Sequence, residues 1–487
     1  MGKEICNLEP KALWENFYNM CQIPHPSKHE EKIRAFLVEF GKGLGLETIT
    51  DEVGNVIIRK PATPGMENRK GIVLQGHMDM VPQKNNDKNH DFEKDPIETI
   101  IGDDGWIKAN GTTLGADNGI GCAAGMAVLQ SKDIAHGPVE VLITTDEETG
   151  MTGAFGLQPG VLKGDILLNL DSEDEGELYV GCAGGVDGTF VFDYKKESVP
   201  ANYEAYKINI GGLKGGHSGM DIVLGLGNAN KLIIRFLYQA IQKFSLRLAS
   251  IEGGSLRNAI PREASVVVVA PKGTSEELKQ FMFGFFDITS AELSISEPDY
   301  KMTIEPAAMP EFVIDADNTN RAVKAIYACP NGVIRMSDAM VGLVETSTNL
   351  AIVSSKNDKI TINCLLRSSV NSAKEDLSDM MASVFALAGA KFEFEGGYPG
   401  WKPNPNSPIL EIAKKVYLDK YGKTPDVKAI HAGLECGLLG DVYPKWDMLS
   451  FGPTIRNPHS PRERVNIETV NTFWNYLVEI LKNAPVK

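Results

Sequence analysis

The stretch GIVLQGHMDMVPQ, residues 71–83, runs from an apolar strand-like segment into an abrupt polar end, with His77 and Asp79 just past Leu74. A short apolar run bounded by turn residues predicts a strand buried on both faces. Three more runs have this form: VEVLITT (139–145), DILLNLD (165–171) and MLSFG (448–452). Between the first two of the four, GADNGIGCAAGMAVLQ (115–130) passes from a glycine-rich turn into a small-residue helix. Strands alternating with helices predict an α/β layer with a largely parallel sheet. In such sheets, binding sites gather at the carboxyl ends of the strands.

Those ends carry the chemistry. A carboxylate two residues after His77 can orient the second ring nitrogen of a metal-binding imidazole, although HxD alone also suits an ordinary loop. Asp117 sits at the turn before the helix, where an Asp serves equally well as a helix cap. Asp146, Glu147 and Glu148 are three adjacent acids, which repel one another unless solvent or cations neutralise them. Asp171 ends the next strand, and His459 lies in the proline-flanked loop GPTIRNPHSPRERV (452–465). Each feature alone has a bland reading, but their recurrence at successive strand ends favours a metal site. Imidazole and carboxylate donors suit zinc, manganese or cobalt. Five ligands with one bridging carboxylate would make a two-metal site of the hydrolytic kind, and a neighbouring carboxylate could shuttle the proton.

The seven cysteines, at 6, 21, 122, 182, 329, 364 and 436, are odd in number and form no CxxC. They read as reduced thiols of a cytoplasmic protein, leaving His and carboxylates as the metal ligands. The formal charge of −15 disfavours nucleic acid and anionic membrane surfaces as partners. No signal-peptide core, myristoylation pattern or spanning apolar run is expected.

At 487 residues, at least two domains are expected. Near the amino end, Ser27 and Glu30 have capping-box spacing ahead of a helix ending at Gly41 or Gly43. After CAGGVDG (182–188) the pattern changes to strands and helices in two loosely similar halves, and from Tyr398 it returns to helix, loop and strand. The division expected is 1–186 plus 398–487 as a discontinuous metal-binding domain, with 187–397 inserted.

The ordered motifs GHMDMVPQ, GADNGIG, TDEETGMTGA, GGHSGMDI and NPHSPRERV resemble the metallopeptidase superfamily of aminoacylases, glutamate carboxypeptidases and cytosolic dipeptidases. The similarity covers the whole chain and is greatest to the aminoacyl-histidine dipeptidase branch. It implies a three-layer α/β catalytic domain of the zinc-peptidase type and an inserted α+β lid of two similar lobes. It implies that His77 and Asp171 bind one metal, Glu148 and His459 the other, and that Asp117 bridges them. A cis peptide after the bridging Asp is a further implication. Glu147 would be the general base acting on a metal-bridged hydroxide, and Asp79 would hold the His77 ring. His217, in GGHSGMDI, would stabilise the oxyanion. A substrate's free carboxylate calls for a cation, and Arg367 in NCLLRSS is the first candidate. Asn258 is a second contact. In HAGLECGLL (431–439), Gly433 and Glu435 would meet the amino end, with His431 and Glu435 as supporting groups in the alternative reading.

The function implied is hydrolysis of unblocked dipeptides, Xaa-His included, by a homodimer or monomer. The alternatives are an aminoacylase or a carboxypeptidase removing one residue on the same scaffold. The presence of Glu147 beside all five presumed ligands argues against an inactive binding protein, and a single site argues against metal storage.

Overall fold

The computed structural model describes residues 2–487, which form two compact units. The first comprises residues up to Gly181, Pro403–Ala429 and Leu434–Lys487, and the second Cys182–Lys402 with Ile430–Gly433. His431 and Gly433 thus group with the second unit, while Glu435 belongs to the first. The sequence expectation had put the inserted segment at 187–397 and all three of those residues outside it.

The first unit is built on an eight-stranded sheet. At its centre, Val139–Thr144, Ile72–His77, Ile166–Asn169 and Asp447–Ser450 lie side by side and parallel. The first three are buried along their whole length, which is why they read as mainly apolar runs. Antiparallel strands flank this centre. Val56–Lys60 runs antiparallel to Val139–Thr144, and a short hairpin connection sets Glu47–Thr50 antiparallel to Val56–Lys60.

Helix Ala116–Gln130 packs on strand Ile72–His77 and on helix Lys11–Cys21. Its small residues permit the close approach: a Cβ at Gly121 would meet the Leu170 carbonyl at 2.6 Å, and one at Gly125 would meet Val141 at 2.9 Å. The carboxyl-terminal helix Ile467–Lys482 packs on Pro408–Tyr421. A small antiparallel sheet joins Ile455–Arg456 and Arg464–Asn466 to Trp106–Ala109. It frames the loop that holds His459.

Helix Glu31–Gly43 begins at an N-cap Glu30 with no side-chain cap, so Ser27 does not close the expected capping box. The Ser27 hydroxyl donates instead to Asp79 at 2.8 Å.

The second unit contains one antiparallel nine-stranded sheet whose two halves repeat a topology. In chain order, Tyr203–Gly211, helix Ala229–Phe244, Arg247–Gly253, Ala264–Pro271, helix Ser275–Glu292 and Lys301–Pro306 form a β-α-β-β-α-β lobe. Gly184–Asp193, helix Ala316–Ala328, Val344–Lys356, Lys359–Ser368, helix Asn371–Leu387 and Lys391–Tyr398 form another. Each lobe orders its strands fourth, first, third, second, and the two second strands meet through Glu252↔Ser354 and Gly253↔Val353. The first lobe is inserted after the first strand of the other. The helices of both lobes share one apolar core containing Phe190, Phe236, Leu278 and Phe385.

Candidate metal centre and substrate-binding residues

In the first unit, three parallel strands deliver polar side chains to one edge. His77 is the last residue of its strand and pairs in register with Thr144, which precedes Asp146, Glu147 and Glu148. Asp171 follows strand Ile166–Asn169, and the fourth parallel strand leads into the His459 loop. Asp117 opens the helix after the first of these strands, its peptide to Asn118 cis and its ψ of 108° outside the helical range.

The five side chains converge. His77 Nε2 lies 3.1 Å from Asp117 Oδ1 and 3.4 Å from Asp171 Oδ1. His459 Nε2 lies 3.2 Å from Asp117 Oδ2 and 3.0 Å from Glu148 Oε2. The two oxygens of Asp117 therefore face two different His–carboxylate pairs, and each resulting trio could hold a metal ion. Burial, then the charge of Asp117, raises Asp171 to about 8, although His77 opposes the rise. Asp117 and Glu148 in turn push His459 up to about 11. Glu148 Oε1 and Asp171 Oδ1 are buried without a hydrogen-bond partner. Crowded, partly orphaned carboxylates interleaved with imidazoles are a donor set that divalent cations would complete.

Glu147 reaches the same cluster, within ligand spacing of His77 and Glu148. Burial, reinforced by Asp171, Glu435 and Glu148, lifts its carboxyl well above the ordinary carboxylate range against the pull of His77. Asp79 has more partners than the His77 ring alone. It accepts from the backbone N–H of Glu147 at 3.0 Å and of Glu148 at 3.2 Å, and from Ser27. His77 Nδ1 lies 3.0 Å from the Asp79 carbonyl and 3.4 Å from its carboxylate.

Beneath the cluster runs a buried polar chain. Glu435 accepts from Gln75 at 2.6 Å and Thr144 at 2.8 Å, Asn169 donates to Gln75 at 2.6 Å, and Ser450 donates to Asn169. Burial raises Glu435 to about 7. Gln75, Asn169 and Ser450 interrupt apolar strands shortly before the strand-end groups, and that interruption is the signal sequence reasoning passed over. Glu463 was missed as well: its carboxylate accepts four consecutive backbone N–H groups, those of Leu114, Gly115, Ala116 and Asp117.

In the second unit, the His217 N–H donates to Asp221 at 2.7 Å, and its Nδ1 accepts from Met220 N–H at 3.0 Å and Gly219 N–H at 3.2 Å. An Nδ1 that accepts leaves the proton on Nε2, the tautomer suited to donating. Burial, then the charge of Arg367, lowers the His217 pKa and keeps the ring neutral.

Arg367 is buried, with Nη1 on the Tyr398 hydroxyl at 3.2 Å and no partner for Nε. His431 Nε2 lies 2.7 Å from Ser347 Oγ, and burial, with Arg367 and His217 nearby, lowers its pKa to about 3. A Cβ on Gly433 would press on the Tyr398 ring at 3.1 Å. Asn258 is exposed and joins this neighbourhood through its carbonyl, which accepts from Ser218 N–H at 2.8 Å. Tyr398 and Ser347 were not singled out in the sequence.

No described helix is long and apolar enough to cross a membrane.

Known proteins match this chain over its whole length. The chain is 49% identical over 484 residues to the Escherichia coli (strain K12) cytosol non-specific dipeptidase, covering 99% of this chain and 100% of that one. Its structure superposes on the aminoacylhistidine dipeptidase of Vibrio alginolyticus with a TM-score of 0.97 and 51% identity, covering 100% of both chains. A tripeptidase from Staphylococcus aureus, at 18% identity and a TM-score of 0.56, covering 98% of this chain and 99% of that one, shares the fold. The model of peptidase family M20/M25/M40 matches residues 73–483. Fold and relatives agree, and the chain belongs to peptidase family M20/M25/M40.

Proposed function

We infer that this chain is a metallodipeptidase that hydrolyses the peptide bond of unblocked dipeptides, Xaa-His among them, with two divalent ions held by His77, Asp117, Glu148, Asp171 and His459. The observation that carries the reading is Asp117, whose two carboxylate oxygens face one His–carboxylate pair each. The names of the Escherichia coli and Vibrio alginolyticus relatives support the substrate class, and the former supports a cytosolic location. Zinc fits the donor set, with manganese and cobalt as alternatives.

Such ions, when bound, supply Lewis acidity for the scissile carbonyl and acidify water. The chain's own residues do the rest. Glu147, on the turn fixed by Asp79, takes the proton of the attacking water and returns it to the leaving amine. His217, with Nε2–H free, donates to the oxyanion. Arg367 and Asn258 recognise the free carboxyl end, where a guanidinium offers a bidentate match. His431, Gly433 and Glu435 support the site, Glu435 from beneath the cluster and His431 through Ser347.

A substrate panel with metal analysis tests the reading. The purified protein should carry two ions per chain and turn over Ala-Ala and β-Ala-His faster than N-acetyl amino acids or tripeptides. Faster turnover of an acetylated amino acid or a tripeptide would point to an aminoacylase or a longer-peptide exopeptidase.

A further inference from the structure

Glu463 lies four residues after His459 and is 2% exposed. Its Oε2 accepts from the N–H of Leu114 at 2.7 Å and Gly115 at 3.0 Å, and its Oε1 from Ala116 at 2.8 Å and Asp117 at 3.2 Å. Four successive N–H groups pointing at one carboxylate make a backbone anion nest, and Gly115, at φ +71°, supplies the left-handed turn that it requires. The last donor of the nest is Asp117 itself.

The other end of the connection is equally defined. Strands Ile455–Arg456 and Arg464–Asn466 pair at the base of the loop. Within it, Glu463 N–H donates to Ser460 O at 2.9 Å, while Asn457 and His459 take φ of 55° and 56°. The loop is thus a compact hairpin end, and the Glu463 carboxylate binds it to the turn that presents Asp117. His459 Nε2 and Asp117 Oδ2, 3.2 Å apart, are set by the two sides of that clamp.

We propose that Glu463 is a positioning residue that fixes His459 against Asp117 and so sets the affinity of the site for its second ion. The inference rests on the reading of Asp117 and His459 as metal ligands. Outer groups that orient metal ligands typically contribute roughly 10–100-fold to metal affinity. Glutamine at this position keeps the shape but turns an amide N–H₂ toward backbone N–H donors, so part of the nest loses its acceptor. Aspartate keeps the charge on a shorter arm.

The test is zinc titration of chelator-stripped wild type, Glu463→Gln and Glu463→Asp, with metal content and the Co(II) absorption spectrum as readouts and thermal unfolding of the stripped proteins as the folding control. The expected result is two ions on the wild type, a roughly 10–100-fold weaker second ion and an altered Co(II) spectrum in Glu463→Gln, and a smaller loss in Glu463→Asp. Wild-type affinity and spectrum in Glu463→Gln would overturn the proposal, as would a loss matched by collapse of the stripped protein's fold. Failure of the wild type to bind two ions would instead overturn the reading of the ligands.

Discussion

Asp79 accepts the backbone N–H of Glu147 at 3.0 Å, joining the end of one central strand to the turn that ends the next. The same carboxylate takes the Glu148 N–H, so two adjacent acids with different proposed tasks, proton transfer and metal binding, are aimed by one residue. The imidazole of His77 and the hydroxyl of Ser27 hold Asp79 in turn, and His77, the Glu147 N–H and Ser27 keep its carboxyl down at about 2 against the effect of burial. Asp79 is therefore a charged peg between strands.

Asp79→Asn replaces one acceptor oxygen with a donor while keeping the size. The turn carrying Glu147 should shift by a fraction of an ångström to one ångström, for which a loss of roughly 100-fold in kcat is expected with KM changed only a few-fold. Steady-state kinetics beside metal analysis check this. An unchanged kcat would mean that Glu147 is aimed by something else.

Arg367 makes a different prediction. Losing a charge-assisted, bidentate carboxylate contact costs about 1.5–3 kcal/mol, or roughly 10–100-fold in binding. Arg367→Lys keeps the charge but not the fork, so KM for unblocked dipeptides should rise by that factor while kcat changes less. Kinetics on a dipeptide and on its C-terminal amide give the comparison, and the amide should be insensitive to the substitution.

His431 gives a pH dependence. Burial, then Arg367 and His217, lowers its pKa to about 3 from an ordinary 6.5. Between those values the unfolded chain takes up a proton that the folded chain refuses. Stability from this residue is thus present above pH 6.5 and is lost as pH falls toward 3. His431→Asn should flatten the acid limb of the denaturant-stability curve by up to about 1.4 kcal/mol per pH unit relative to wild type. Parallel curves for the two proteins would contradict the assignment.

Much of this was legible in the sequence, for physical reasons that can be named. A strand buried on both faces is mainly apolar, so polar residues at its end stand out, and His77, Glu148 and Asp171 are singled out that way. The repeat of the second unit was visible only faintly, because topology is kept by apolar periodicity and not by residue identity. Glu463 was not legible: its partners are backbone N–H groups 346 to 349 positions away, which leave no trace in side-chain pattern. Ser27 misled for a related reason. Its spacing to Glu30 suits a cap, but a buried carboxylate, Asp79, outcompetes the helix end for its hydroxyl. The return of Ile430–Gly433 to the second unit likewise has no compositional mark.

Glu147 is the residue proposed to make the metal site hydrolytic. The direct measurement is kcat of Glu147→Gln on a dipeptide together with its bound metal. A general base contributes roughly 10²–10⁴-fold, so kcat should fall by that factor while two ions remain bound. Wild-type turnover in this variant, with its metals in place, would contradict the mechanism.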